Sequence, residues 1–253
     1  MQERANTPAI AALRRRIAQL EGDGPCSREV LPFGIPQLDR KLPGGGLALG
    51  CLHEVAGGGN GAVGGAAAAC FVAGIAARTQ GRVLWCVAQQ DLFAPGLEQS
   101  GLPPDRVIHV EAGDDRSVLA CMEEGLRHGG LGAVVADTAR LPMTASRRLH
   151  LAAKESGTIG IALRRWRRQS EASDFGQPTA AMTRWRISVL PSAPLPVPGV
   201  ARPRWLIELI RARAGESLDI ELEACDGSGH LGLPADMADG PAAAEDRRRS
   251  VSG

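Results

Sequence analysis

The sequence predicts an α/β fold, a mainly parallel sheet flanked by helices with antiparallel strands added at the C-terminal side. Two observations lead there. Across residues 51–163, short apolar runs of strand length alternate with helix-length segments, the order that a parallel sheet covered on both faces requires. After residue 180 the pattern changes to runs that interleave basic and apolar side chains around a Pro-rich connection, as half-exposed antiparallel strands do.

The elements follow in order. Ile10, Leu13, Ile17 and Leu20 recur at three- and four-residue steps with Arg14, Arg15 and Arg16 between them, which predicts an amphipathic helix over 9–20. Its apolar stripe suits packing on its own domain or docking on a partner. Gly and Pro crowd residues 22–50, a connector in which Leu38 and Leu42 mark a short helix before Gly44-Gly45-Gly46. The run 51–55 (CLHEV) is the first core strand and the Ala-rich stretch 65–78 the first long helix. Further strands are expected at 82–88 (RVLWCVA), 107–110 (VIHV), 133–137 (AVVAD) and 158–163 (TIGIAL), with helices at 116–128 and 144–156. Strands at 183–190 (TRWRISVL), 204–212 (RWLIELIRA) and 218–223 (LDIELE) extend the sheet, and the alternation of Arg184, Trp185, Arg186 and Ile187 predicts half-exposed strands there.

At 253 residues, 44% hydrophobic and 23% charged, the chain has the make-up of one main globular domain. The expected division is an N-terminal helix and linker over 1–29, a core over 30–233 and a disordered tail over 234–253, which has too little apolar content for a core. No apolar run approaches membrane-span length, and the N-terminus lacks the charged-then-apolar order of a signal peptide, so a cytoplasmic location with no membrane partner is expected. The six cysteines form no CxxC pair and several sit in apolar runs, which predicts reduced thiols with neither disulfides nor structural zinc. A formal net charge of +1 conceals a basic middle: residues 140–213 carry 14 Arg and Lys against 4 Asp and Glu.

Between the first strand and the first long helix lies Gly57-Gly58-Gly59-Asn60-Gly61-Ala62-Val63-Gly64, where a nucleoside triphosphatase carries its phosphate loop. Such a loop follows G-x-x-x-x-G-K-[ST]: backbone N–H groups wrap the phosphates, the Lys neutralises their oxygens and the hydroxyl holds Mg²⁺. Counted from Gly57, the second Gly falls on Ala62, the Lys on Val63 and the hydroxyl on Gly64, so neither charge nor metal ligand remains. No cofactor is expected, and ATP with Mg²⁺ is disfavoured. Asp137 ends its apolar strand in the Walker B position, where it either faces a metal or caps the next turn. Gln89 and Gln90 stand where a water-polarising carboxylate belongs, and an amide cannot accept the proton.

A second constellation, Arg164-Arg165-Trp166-Arg167-Arg168, follows the strand at 158–163 and leads into a polar segment. Arginines pair with phosphates and an indole stacks on a base, so this segment is a candidate contact for single-stranded DNA. Equally, its arginines suit a solvated face or acidic groups on another protein, and Arg140, Arg147 and Arg148 add to the same patch. The five histidines are scattered, and no triad, metal-ligand cluster or carboxylate pair has convincing spacing.

The lead-in Phe33-Gly34-Ile35-Pro36-Gln37-Leu38-Asp39, then Gly44-Gly45-Gly46-Leu47 and Gly50-Cys51-Leu52-His53-Glu54-Val55, is similar to the approach of RecA-type cores to their phosphate-loop strand. From about residue 30 to 223 the chain thus resembles the RecA superfamily. Within it, Arg184-Trp185-Arg186, Pro191-Ser192-Ala193-Pro194 and Pro198-Gly199 through Arg202-Pro203-Arg204-Trp205 resemble the ImuA family, the SulA-like proteins of DNA-damage-inducible mutagenesis. The resemblance implies a RecA-like core in a non-enzymatic accessory protein of SOS-induced translesion synthesis, at the nucleoid. Its implied partners are a Y-family-like polymerase homologue and an error-prone replicative-type polymerase, with RecA and single-stranded DNA as further candidates. A residual DNA-stimulated ATPase and a SulA-like cell-division inhibitor are the alternatives. Of the two DNA loops of RecA, the resemblance implies that one is absent here, because the span from Asp137 to Thr144 is short, and that the other maps onto residues 166–179. The helix at 9–20 resembles the arm by which RecA packs on a neighbour.

Overall fold

The computed structural model describes residues 29–59, 61–166, 172–194, 198–213 and 215–234. The helix expected at 9–20, the tail beyond residue 234, and Asn60, Arg167 and Arg168 lie outside the described residues.

The connector forms a two-stranded antiparallel ribbon, β1 (Val30–Leu31) with β2 (Leu47–Ala48), enclosing the short helix α1 (Pro36–Asp39). Asp39 closes this turn by accepting from the backbone N–H of Phe33 at 2.8 Å and of Gly34 at 3.0 Å, which drops Phe33, Ile35 and Leu38 into the core. Then come β3 (Leu52–Gly57), α2 (Ala62–Ala77), β4 (Val83–Val87), α3 (Ala94–Gln99), β5 (Val107–Glu111), α4 (Asp115–His128), β6 (Ala133–Thr138), α5 (Met143–Ser156) and β7 (Ile159–Arg164). Strands β8 (Thr183–Leu190), β9 (Arg204–Ala212) and β10 (Leu218–Glu223) complete an eight-stranded sheet ordered β10-β9-β8-β3-β7-β6-β4-β5. From β8 to β5 all neighbours are parallel, and β9 and β10 add on antiparallel. The expected class and the antiparallel extension are both present. The ribbon and α3 were not expected, because two-residue strands leave no periodic signal and Pro95-Gly96 disguises a short helix.

Two cores sandwich the sheet. Val83, Trp85 and Val87 of β4 face one layer with α2 and α3, while Leu84 and Cys86 face the other with α4 and α5, the period of two that a strand buried on both faces imposes. In the first layer Phe33, Phe71 and Trp185 meet with ring centroids 5.5 to 5.9 Å apart, and Trp205 closes on Phe71 at 6.4 Å. That cluster ties the connector, α2 and the added strands into one unit. Helix α2 is built of Ala and Gly because it lies close to its neighbours: a Cβ on Gly74 would stand 2.3 Å from Cys225 Sγ. Helix α4 begins at Asp114, whose carboxylate accepts from Ser117 N–H at 2.8 Å, and buries Val118, Met122 and Leu126 along one face.

The expected half-exposure of β8 holds from Arg186 onward and fails at the start of the strand. Arg184 is 7% exposed, because its guanidinium crosses the sheet to a carboxylate on β3. His53, also on β3, is buried and satisfied on both nitrogens: Nε2 donates to Ala48 O at 2.8 Å, and Nδ1 lies 2.7 Å from Thr183 Oγ1, which accepts from Trp185 Nε1 at 2.6 Å. Burial pushes its pKa down to about 4, so the ring is a neutral structural group.

Candidate functional site

The carboxyl ends of parallel strands are where an α/β sheet receives ligands, and here those ends gather the Gly-rich turn, Asp137 and Arg165. The turn leaves β3 at Gly57, and Gly58 N–H donates to Ile187 O at 2.7 Å. Gly59 at φ +72° and Gly61 at φ +108° adopt backbone that side chains resist, after which α2 starts at Ala62. A phosphate loop keeps space beneath its hydroxyl residue for a metal. At Gly64, which holds that place in the register, an added Cβ would meet the Gly58 carbonyl oxygen at 2.3 Å. Val63, at the Lys position, points into solvent with 68% of its surface exposed.

Asp137 lies within β6, whose last residue is Thr138, and is 7% exposed. It does not cap the next turn. That task falls to Asp115, which accepts from the backbone N–H of Ala139 and Arg140, both at 3.1 Å. Asp137 instead faces Arg165, with Oδ2 2.6 Å from Nε in an ion pair whose N–H is not aimed at the oxygen. Burial pushes the Asp137 carboxyl up to about 7, the pull of Arg165 being the smaller influence, with Asp91 and Asp115 adding like charge. Arg165 Nη2 also donates to Asp91 Oδ1 at 2.5 Å. A crevice of ≈280 Å³ opens beside these groups, lined also by Gln89, Asp114 and Asp115.

Behind the crevice lies a buried ionic network. Glu54 on β3 has no exposed surface; its Oε1 accepts from Arg164 Nη1 at 2.5 Å and its Oε2 from Arg184 Nε at 2.9 Å and Thr179 Oγ1 at 2.9 Å. Arg164 Nη2 donates to Asp174 Oδ2 at 2.5 Å and to Ala139 O at 2.7 Å, while its Nε has no acceptor among the described residues. The Phe175 ring sits against both guanidiniums, at 6.0 Å from Arg164 and 5.1 Å from Arg184, and against Trp166 at 5.8 Å. Two carboxylates balance two guanidiniums, so the charge held inside the sheet is compensated.

Comparison with known proteins agrees with this architecture. A Caulobacter vibrioides protein named ImuA, found in two strains, is 42% identical over 196 residues, covering 74% of this chain and 80% of the relative. The chain belongs to the ImuA family. A family model described as cell division inhibitor SulA matches residues 75–160, and a SulA of Yersinia pestis is 33% identical over 82 residues, 32% of this chain and 49% of the relative. The crystal structure of the RadB recombinase superposes with a TM-score of 0.55 at 16% identity, covering 81% of this chain and 99% of that one, so this ImuA-family chain has a RecA-like core. The SulA match runs from the helix before β4 into β7, within the parallel part of that core.

The structure therefore separates the residues singled out in the sequence. Gly57 to Gly59, Gly61 to Gly64 and Asp137 do lie at the same end of the sheet. The basic segment does not form a uniform surface: Arg164 is the last residue of β7 and fully buried, which removes it from any DNA or partner contact. Arg165 turns inward to Asp137 and Asp91, and Trp166 is half-buried on Phe175. Sequence reasoning missed Glu54, Asp91 and Asp174. A carboxylate inside the apolar run 51–55 was the available signal, because a charge in a strand buried on both faces demands a partner. Among the described residues, no helix is long and apolar enough to cross a membrane, and no group of His, Cys, Asp and Glu is arranged to hold a metal ion.

Proposed function

We propose that the chain is a non-enzymatic, RecA-like accessory protein of SOS-induced, error-prone translesion synthesis. It acts through contacts with a Y-family-like polymerase homologue, and with RecA or single-stranded DNA. One observation carries this reading: Gly58 carbonyl oxygen fills the space that a metal-binding hydroxyl at position 64 needs, while the register offers Val63 in place of the Lys. Membership of the ImuA family supports the process, and the RecA-like core supports the architecture. A Walker A register without its Lys and hydroxyl leaves Asp137 with no phosphate-bound metal to receive.

Co-purification with the polymerase homologue, RecA and single-stranded DNA tests this directly. The chain is expected to retain the polymerase homologue without nucleotide, and magnesium ATP is expected to leave retention unchanged. Retention that requires magnesium ATP, or none at all, would contradict the proposal. The SulA match over residues 75–160 favours one other reading, a cell-division inhibitor. Filamentous growth on overproduction would support that alternative.

A further inference from the structure

In a nucleotide-hydrolysing core, the crevice between the Gly-rich turn and the Walker B carboxylate receives phosphates with their metal. Here the crevice on the Asp137 side, lined from the ends of β4, β5 and β6 and by Arg165 but by no residue of the Gly-rich turn, is acidic. Asp91, Asp114, Asp115 and Asp137 line it, and the only cation among its lining residues is Arg165. Its guanidinium bridges two of these carboxylates, with Nε 2.6 Å from Asp137 Oδ2 and Nη2 2.5 Å from Asp91 Oδ1. Its methylenes lie across the first turn of α2, with Cδ 3.4 Å from where a Cβ on Gly65 would stand. Gly65 leaves the room through which that stem passes.

We propose that this crevice has become a guanidinium site in which Arg165 is the chain's own occupant, standing where a metal–nucleotide would otherwise bind. The inference rests on the reading that no nucleotide is held there. The geometry favours a broad, delocalised cation, because Arg165 spans carboxylates from different strand ends, hydrogen-bonded to Asp91 through Nη2 and ion-paired with Asp137 at Nε. Even with the Asp137 carboxyl pushed up to about 7, three further aspartates face one arginine and repel phosphate, which places nucleic-acid backbone elsewhere on the molecule.

Chemical rescue tests it. Arg165→Ala is expected to lower the melting temperature by about 4 °C, since it leaves Asp137 and Asp91 without their cation. Millimolar ethylguanidinium should restore most of that loss, yet leave the wild type and Arg165→Ala/Asp137→Asn unmoved. An unshifted Arg165→Ala variant, or equal rescue with and without Asp137, overturns the proposal. Should Arg165→Ala not fold, Arg165→Lys and Arg165→Gln decide: lysine should be the more stable, and equal stability rejects a cation site. Magnesium ATP in the same melts separates the two claims. Stabilisation of the wild type by it would remove the nucleotide-free reading, whereas failed rescue without any ATP effect removes only the guanidinium site.

Discussion

Replacing Glu54 by Leu is expected to destabilise the chain by about 3–5 kcal/mol, the cost of leaving buried charge uncompensated. Glu54 is the junction of the network, holding Arg164 from β7 and Arg184 from β8, both side chains nearly or fully buried. Arg164 would keep Asp174, but among the described residues Arg184 would retain only the hydrogen-bond acceptors Gln177 O and Thr179 Oγ1, neither of them an anion. For a domain of this size the loss corresponds to a melting temperature lower by about 10 °C. Thermal unfolding followed by circular dichroism reads it. Adding Arg184→Met to Glu54→Leu should recover part of the loss, because the unpaired cation is then gone. If Glu54→Leu alone melts with the wild type, the network is not holding β3, β7 and β8 together.

The second large effect is expected from restoring the missing phosphate-loop side chains. Val63→Lys/Gly64→Thr supplies both, yet the Cβ that the second substitution introduces would meet Gly58 carbonyl oxygen at 2.3 Å and force the turn away from α2. A branched side chain in the first helical turn has little rotamer freedom with which to escape. The cost is expected to be about 3 kcal/mol, with no magnesium ATP binding gained. Val63→Lys alone, at an exposed position, should be close to neutral. Chemical denaturation of the two variants makes the comparison. A double variant as stable as the wild type would show that the turn keeps room for a metal-binding hydroxyl.

The strands were legible because burial on both faces writes itself as unbroken apolar runs, and β8, β9 and β10 appear with the bounds their alternation predicts. The candidate site was legible only in part. The turn at Gly57 to Gly64 announces itself by composition, but the closeness of Gly58 to Gly64 depends on how β3 and α2 meet. The run from Arg164 to Arg168 reads as a solvated basic segment when each arginine is counted by itself. Its first member is instead the end of β7, since the neutralising Glu54 lies 110 residues earlier in the chain. Likewise Asp91, which holds Arg165, is separated from it by 74 residues, a distance over which no local pattern signals pairing. Long-range ion pairs have no period, and a single sequence therefore leaves them unread.

The central claim is that the RecA-like core is kept while nucleotide no longer enters it. Isothermal titration of magnesium ATP into the purified wild-type chain tests that most directly. The account predicts no heat of binding at millimolar nucleotide. Saturable, magnesium-dependent binding that disappears in Asp137→Asn would contradict it.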